Sequence, residues 1–203
     1  MQAPGSSASE TAAGGIAGIL LAAGASRRFG ADKLLHPLPD GMPIALASAL
    51  ALFAAVPRMV AVLRAEHGEL AQLFAEHGIA TVVAERATAG MGASLAAGIA
   101  ATQDARGWLV ALADMPLVKS ETMRAVADRL RKGAAIAAPR YRGQRGHPVG
   151  FAARFRARLL ALDGDEGARA LLREFADEVV LIDCGDAGTL ADIDLPGDLA
   201  QLD

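Results

Sequence analysis

The chain has 203 residues, of which 53% are hydrophobic, and a formal net charge of -3 at pH 7. This length and composition are typical of one compact domain with a sizeable core. The mild acidity, together with a single tryptophan and a single tyrosine, excludes a broad basic surface with aromatic side chains for stacking, so we expect no nucleic-acid partner.

The single cysteine, Cys184, excludes an internal disulfide and a cysteine-rich metal site. It favours a reducing compartment, and we expect a cytoplasmic protein. Residues 1–15 are rich in Ala, Gly and Ser and lack the basic and apolar regions of a signal peptide. We therefore expect a disordered N-terminal tail over 1–15 and one domain over 16–203. Charged residues or proline interrupt every apolar run before it reaches membrane-spanning length, so no membrane partner is expected.

A phosphate-binding loop is predicted directly after the first apolar run, Ile16–Ala22. This uncharged run predicts a strand buried on both faces, so the next residues emerge at the carboxyl edge of a sheet, where ligands of open α/β sheets bind. The small residues at 23–26 let backbone N–H groups approach a polyphosphate. Arg27, Arg28 and Lys33 then supply positive charge. The alternative is a surface loop whose arginines are merely solvated.

Strands and helices alternate along the chain. Short apolar runs predict further strands at 59–63, 79–84, 108–113, 134–138 and 179–182. Helical patterns predict helices at 43–55, 67–77, 154–162 and 167–175, one that ends near 103 and one that Ser120 caps. This alternation indicates βαβ units, and we expect an α/β fold: a single-domain three-layer sandwich with a mostly parallel sheet.

A second glycine-rich turn, which contains Gly90, Gly92 and Ser94, opens an alanine-rich helix. Its backbone donors and the partial positive charge of the helix N-terminus suit the edge of a base or a ribose hydroxyl. The alternative is a glycine loop in which Ser94 is an ordinary N-cap.

An acidic residue, Asp114, follows the predicted strand at 108–113 and lies at the same sheet edge as the phosphate loop. Mg²⁺ favours one or two carboxylates plus substrate phosphate oxygens, so a carboxylate at this place is suited to it. The alternative for a lone aspartate after a strand is a helix cap or a turn residue.

The densest basic segment of the chain runs from Pro139 to Pro148 and contains three arginines and two glycines. It predicts a loop or hairpin that projects over the site and suits an anionic acceptor. A solvated run of charges is the alternative. Within the segment, His147 either donates a hydrogen bond to phosphate or is a packed histidine with a satisfied ring.

The stretch Leu21 to Lys33, Leu-Ala-Ala-Gly-Ala-Ser-Arg-Arg-Phe-Gly-Ala-Asp-Lys, resembles the signature loop of nucleotidyltransferases related to the molybdenum cofactor guanylyl- and cytidylyltransferases. The likeness runs from about Ile16 to the C-terminus and includes Asp-Met-Pro at Asp114 and Arg-Gly-His-Pro-Val at Arg145. It implies a Rossmann-like nucleotidyltransferase fold that binds a nucleoside triphosphate with Mg²⁺ as cofactor and transfers the nucleotidyl group onto a phosphate.

The resemblance and the motifs together assign the site residues. Expected catalytic residues are Arg28, Lys33 and Asp114, and expected acceptor-binding residues are Lys33, Arg145, His147 and Arg169. Expected nucleotide-binding residues are Leu21, Ala22, Ala23, Gly24, Ser26, Arg28, Gly90, Gly92, Ser94 and Asp114. Arg169 either faces the acceptor or anchors a turn.

The resemblance implies two metal ligands, Asp114 and an acid just ahead of the terminal helix. Asp194 is preferred to Asp192 because its position before Leu195-Pro196 corresponds best to the family's ligand. The chain departs from the family here, with Leu195 in place of the usual threonine and Gly197 in place of the usual glutamate.

The Ala22-Ala23-Gly24 version of the loop resembles the cytidylyl branch, so CTP is the expected nucleotide. The expected acceptor is the phosphate of molybdenum-loaded molybdopterin, and pyrophosphate is the by-product. A molybdoenzyme or its chaperone is a candidate further partner. Two alternatives remain open: a nucleotidyltransferase acting on a sugar phosphate or another small phosphorylated metabolite, and a nucleotide- or cofactor-binding delivery protein without turnover. A dehydrogenase is disfavoured because the glycine fingerprint for a dinucleotide is missing.

Overall fold

A computed structural model describes residues 14–24, 33–194 and 198 of the chain. The strands in these residues are β1 (Ile16–Leu21), β2 (Met59–Leu63), β3 (Ala80–Val83), β4 (Gly107–Leu112), β5 (Ile136–Tyr141), β6 (Gln144–Arg145), β7 (Val149–Ala152) and β8 (Val179–Asp183). The helices are α1 (Ile44–Ala55), α2 (Gly68–Glu76), α3 (Met91–Ala101), α4 (Ser120–Arg131), α5 (Arg156–Leu160) and α6 (Arg169–Glu174). Residues 1–13 of the predicted tail lie outside the described residues.

The strands that the structure describes form one sheet in the order β3-β2-β1-β4-β7-β5, and both β6 and β8 pair with β5. Strands β1 to β4 are parallel, and β8 is parallel to β5, whereas β7 is antiparallel to both β4 and β5. Helices α1 and α4 pack on one face of the sheet, and α3 and α5 pack on the other. The predicted single-domain, three-layer α/β fold with a mostly parallel sheet is confirmed.

The central strands are buried on both faces, as the absence of charge in them predicts. Ile19 of β1 belongs to the apolar cluster that contains Ile99 of α3, and its neighbour Leu20 belongs to the cluster that contains Leu52 of α1. These four side chains are fully buried. Among the described residues, no helix has both the length and the apolar composition needed to cross a membrane.

The basic segment forms the predicted hairpin, but the flanking strands differ from expectation. Strand β5 is shifted toward the C-terminus and ends at Tyr141, and a two-residue turn at Arg142 (φ 47°) and Gly143 (φ 83°) leads into β6. A turn with positive φ at both positions matches the twist of a hairpin. The sequence prediction missed β7, a four-residue strand that runs antiparallel between β4 and β5.

The two helices predicted near the C-terminal end are shorter than expected. The segment predicted at 154–162 begins as a 3₁₀ turn, Ala153–Phe155, and only Arg156–Leu160 is α-helical. The segment predicted at 167–175 is helical only over Arg169–Glu174, because Gly167 has a φ of 54°, which a right-handed helix does not allow.

The N-terminus of α4 is capped by a side chain from a distant part of the chain. Ser120 is the first residue of the helix and not its cap, so this prediction is wrong. The buried carboxylate of Asp186 accepts hydrogen bonds from the Lys119 N–H at 2.9 Å and from the Thr122 hydroxyl at 2.7 Å. It also accepts one from the Gly188 N–H at 3.1 Å. Asp186 therefore ties the segment after β8 to the start of α4.

We expect Asp186→Ala to lower the free energy of unfolding by about 2–3 kcal/mol, because it leaves these donors without their acceptor in a buried position. The measurement is urea unfolding at pH 7.5. Asp177→Ala is the control, since Asp177 is exposed, and its cost should lie within about 0.5 kcal/mol of zero. Equal losses in the two variants would contradict the capping role.

Candidate functional site

A cleft of about 530 Å³ opens at the carboxyl edge of the sheet. It lies where β1, β2 and β4 end, because Leu21 pairs with Val62 of β2 and with Leu112 of β4. The 3₁₀ turn Ala87–Ala89 and the start of α3 contribute another part of its wall. The predicted site residues that line the cleft are Leu21, Ala22, Ala23, Gly24, Lys33, Gly90, Ser94 and Asp114.

Three charged side chains from distant parts of the chain meet beside this cleft. The Lys33 ammonium donates hydrogen bonds to Asp114 Oδ2 at 2.9 Å and to Asp194 Oδ1 at 3.2 Å. The backbone reinforces this contact, since the Ile193 N–H donates to the Asp114 carbonyl at 2.9 Å. Asp192 is exposed, so of the two candidate acids it is Asp194 that the structure brings to Asp114.

Lys33 remains a cation although its side chain is only 9% exposed. Burial by itself lowers the pKa of the ammonium, but hydrogen bonds and charge from Asp114, and then from Asp194, outweigh burial and raise the pKa above its usual value. The ammonium thus offsets one of the two carboxylate charges and reduces the repulsion between Asp114 and Asp194.

The two carboxylates fit a divalent cation by their chemistry and placement. Mg²⁺ is held by one or two carboxylates and completes its shell with water and phosphate oxygens. Asp114 and Asp194 both reach one ammonium nitrogen, so they lie close enough to share a cation, and their side chains are 28% and 48% exposed. The site therefore has room for substrate oxygens.

Gly90 and Gly92 of the second turn lie against another loop of the chain, a packing contact that the sequence did not reveal. Gly90 has a φ of 117°, and a Cβ on it would lie 2.4 Å from the carbonyl of Gly164. The Gly92 N–H donates to that same carbonyl at 2.8 Å. The loop at 163–165 therefore packs directly on this turn, and Gly92 itself does not line the cleft.

Ser94 lies inside the first turn of α3. Gly90 occupies the capping position, and the Ser94 hydroxyl donates to the Gly90 carbonyl at 3.3 Å. The alternative interpretation of Ser94 as an ordinary N-cap is therefore wrong. The side chain is buried and forms part of the cleft wall.

The predicted acceptor residues Arg145, His147 and Arg169 interact electrostatically with one another. Burial, and then the neighbouring charges of Arg145 and Arg169, lower the pKa of His147 to about 4, against the opposing effect of Asp114. Burial and the charge of Arg169 lower the pKa of Arg145. His147 Nδ1 is buried without a hydrogen-bond partner in the described residues. The cluster therefore places two cations and a neutral imidazole near Asp114.

The structure leaves some predicted residues undescribed and adds others. Ser26, Arg27 and Arg28 lie outside the described residues. The cleft residues that the sequence analysis missed are Leu34, Arg64, Ala87, Thr88, Met91, Leu112 and Asp165. Arg64 directly follows β2, so the rule that identified Asp114, a polar residue at the carboxyl end of a parallel strand, would have found it too.

A model of the MobA-like NTP transferase domain matches residues 18–179. The chain belongs to this family. It is 29% identical to the purine catabolism protein PucB of Bacillus subtilis over 191 residues, which cover 89% of the chain and 92% of PucB. It is 32% identical to nicotine blue oxidoreductase of Paenarthrobacter nicotinovorans over 188 residues, which cover 88% of the chain and 92% of that protein.

Solved structures of the same fold include Rv0371c of Mycobacterium tuberculosis. It matches with a TM-score of 0.79 and 28% identity, and the match covers 94% of this chain and 98% of Rv0371c. A second structure of Rv0371c is a complex with manganese and matches with a TM-score of 0.77 and 26% identity. A similar protein in this fold group thus binds a divalent metal. Family membership supports nucleotidyl transfer from a nucleoside triphosphate as the general reaction.

The low pKa of His147 predicts a loss of stability in acid. The imidazole is neutral in the folded protein until about pH 4, whereas in the unfolded chain it takes up a proton near pH 6.5. The contribution of His147 to the free energy of unfolding is therefore fully present above pH 6.5 and is lost as the pH drops toward 4. Between pH 7.5 and pH 5 the loss should be about 2 kcal/mol.

This loss is measured by urea unfolding of the wild type and His147→Gln at both pH values. Between pH 7.5 and pH 5, the free energy of unfolding of the variant should fall by about 2 kcal/mol less than that of the wild type, because glutamine does not titrate. The same loss in both proteins would mean that His147 is protonated in the folded state.

Proposed function

We propose that the protein transfers CMP from CTP to the phosphate of molybdenum-loaded molybdopterin, with release of pyrophosphate. The observation that carries the proposal is the contact of Lys33 with both Asp114 and Asp194 at the cleft. It supplies two carboxylates for Mg²⁺ and a permanent cation at one point of a cleft that the family's signature loop lines. Mg²⁺ bound there would supply positive charge to neutralise the phosphate oxygens during transfer.

The nucleotide is held by the first loop and the start of α3 in this proposal. Leu21, Ala22, Ala23 and Gly24 offer a backbone that a polyphosphate can approach closely, since Gly24 is exposed and no atom would meet a Cβ built on it. Ser94 and Gly90 face the same cleft and are proposed to contact the nucleoside. Arg28 is proposed to hold the β and γ phosphates, as the resemblance implies.

The acceptor phosphate is held by Arg145, Arg169 and neutral His147. Burial and the charge of Arg169 lower the pKa of Arg145, so an anion beside these two guanidinium groups is favoured, and the neutral imidazole of His147 can donate one hydrogen bond to it. The acceptor oxygen attacks the α phosphorus in line, the bond to the β phosphate breaks, and pyrophosphate leaves. A phosphate monoester is already largely dianionic at neutral pH, so the step requires no general base.

CTP is proposed over GTP because of the methyl group of Ala23. This residue lines the cleft and is almost buried, so its Cβ takes space that a larger purine would need. The Ala-Ala-Gly version of the loop at Ala22 also resembles the cytidylyl branch, as noted from the sequence.

A second candidate is transfer to another small phosphorylated metabolite, such as a sugar phosphate. Its support is that Arg145, His147 and Arg169 are suited to the phosphate group and not to the molecule that carries it. The acceptor must therefore be found by experiment.

The function is tested by measuring pyrophosphate release with Mg²⁺ and each of CTP, GTP, UTP and ATP, with and without molybdenum-loaded molybdopterin. We expect release with CTP only when the cofactor is present. Asp114→Asn should reduce the rate roughly 100-fold or more, because it removes a carboxylate from the metal site. Asp177→Asn is the control, since its side chain is exposed in the turn before β8. Release with a sugar phosphate in place of molybdopterin would favour the second candidate, and saturable CTP binding with no release would favour a delivery protein.

The basis for CTP selection is tested with Ala23→Gly. Removing the methyl group should raise kcat/KM for GTP relative to CTP by roughly 10-fold, the effect of about one methyl group in a pocket. UTP is the internal control because it has the size of CTP, so the ratio of UTP to CTP should stay unchanged. An unchanged ratio of GTP to CTP would exclude Ala23 as the residue that selects the base.

A further inference from the structure

Seven of the fifteen arginines that the structure describes have an anionic partner. Ion pairs with Asp or Glu occupy Arg58, Arg86, Arg131, Arg140, Arg154, Arg158 and Arg173. The guanidinium of Arg64 forms no ion pair or hydrogen bond with the described residues, although Arg64 is partly buried in the wall of the cleft. A guanidinium kept partly out of water without a partner is available for a ligand.

In the strand order of the sheet, Arg64 and Asp114 lie on opposite sides of β1. Arg64 follows β2, which lies between β1 and β3, whereas Asp114 follows β4 on the opposite side of β1. The Ala22 N–H donates to the Val62 carbonyl at 3.0 Å, and this register sets Arg64 beside Ala23. Arg64 therefore adjoins the first loop on the side away from Asp114.

An unpaired carboxylate, Asp165, lines the same cleft. Its Oδ1 would be 2.5 Å from a Cβ built on Gly90, so it lies directly over the turn that opens α3. Asp165 forms no ion pair with Arg64 or any other described residue. A carboxylate repels phosphate, so a bound nucleotide directs its phosphates away from Asp165 and its uncharged base toward it.

We propose that Arg64 and Asp165 recognise the base edge of cytosine, an inference that rests on the proposed function. The edge presents an amine donor at N4 beside acceptors at N3 and O2. The guanidinium fork donates to N3 and O2, and the carboxylate accepts from N4. In uracil, N3 carries a hydrogen and O4 replaces the amine, so N3–H opposes Arg64 and O4 opposes Asp165. The pair thus discriminates between pyrimidines, which Ala23 cannot do.

The test is calorimetric titration of the full chain with CTP, UTP and tripolyphosphate in the presence of Mg²⁺ and without acceptor. The wild type should bind CTP at least about 10-fold more tightly than UTP, the discrimination of a good two-bond contact. Arg64→Met should weaken the binding of CTP by about 10-fold and leave the binding of tripolyphosphate unchanged. Asp165→Asn should reduce the preference for CTP over UTP, since an amide donates to O4 of uracil and no longer accepts as strongly from N4 of cytosine.

Matched controls are Arg129→Met, which removes an exposed arginine of α4, and Glu166→Gln, which neutralises the exposed neighbour of Asp165. Both should bind all three ligands as the wild type does. An equal loss for CTP, UTP and tripolyphosphate in Arg64→Met would assign Arg64 to phosphate and overturn the proposal. Unchanged ratios of CTP to UTP in both site variants would also overturn it. A wild type that binds none of the nucleotides would instead refute the proposed function.

Discussion

The contact of the Lys33 ammonium with Asp114 and Asp194 joins three separate parts of the chain at one point. Lys33 follows the signature loop, Asp114 follows β4, and Asp194 belongs to the segment after β8. Without the ammonium, two carboxylates would face each other at the edge of the cleft and repel. An ammonium satisfies the same carboxylate oxygens that the proposed divalent cation would, so Asp114 and Asp194 are already held in the arrangement that the proposal requires, which would reduce the reorganisation needed on metal binding.

The sheet edge explains why the remaining site residues converge. Parallel strands β1, β2 and β4 end together, so the residues after them, Ala22, Arg64 and Asp114, share one surface. The loop at 163–165 packs on Gly90 and adds Asp165 to that surface, and the hairpin at the end of β5 carries Arg145. The strands position Arg64 and the residues proposed for the nucleotide phosphates, while the later segments carry Asp165 and the residues proposed for the acceptor.

The sequence predicted the parts of the fold that depend on local pattern. Uncharged runs located β1 and β2 almost to the residue, because strands buried on both faces are apolar throughout. Strand β7 was missed, since four residues after a hairpin carry no pattern that distinguishes them from a loop. The cap of α4 was also missed, because Asp186 lies more than 60 residues from Thr122 and only tertiary folding brings the two together. In the site, Asp114 followed from its place after a strand. Asp165 could not, because its position depends on how the 163–165 loop packs on Gly90.

The distribution of charge around the cleft separates the places proposed for the two anionic ligands. Lys33 is already neutralised by two carboxylates, so it adds little net attraction for a polyanion from a distance. Among the described residues, Arg145 and Arg169 form no ion pair, and these cations instead carry the long-range attraction. Because Arg64, proposed for the base, lies on the β2 side and Arg145 interacts with Arg169 near His147, the nucleotide and the acceptor would bind in different parts of the site. Under the proposed function, binding at separate places would keep the two anions apart until both lie beside Asp114, where groups that are already oriented would offset the repulsion between them.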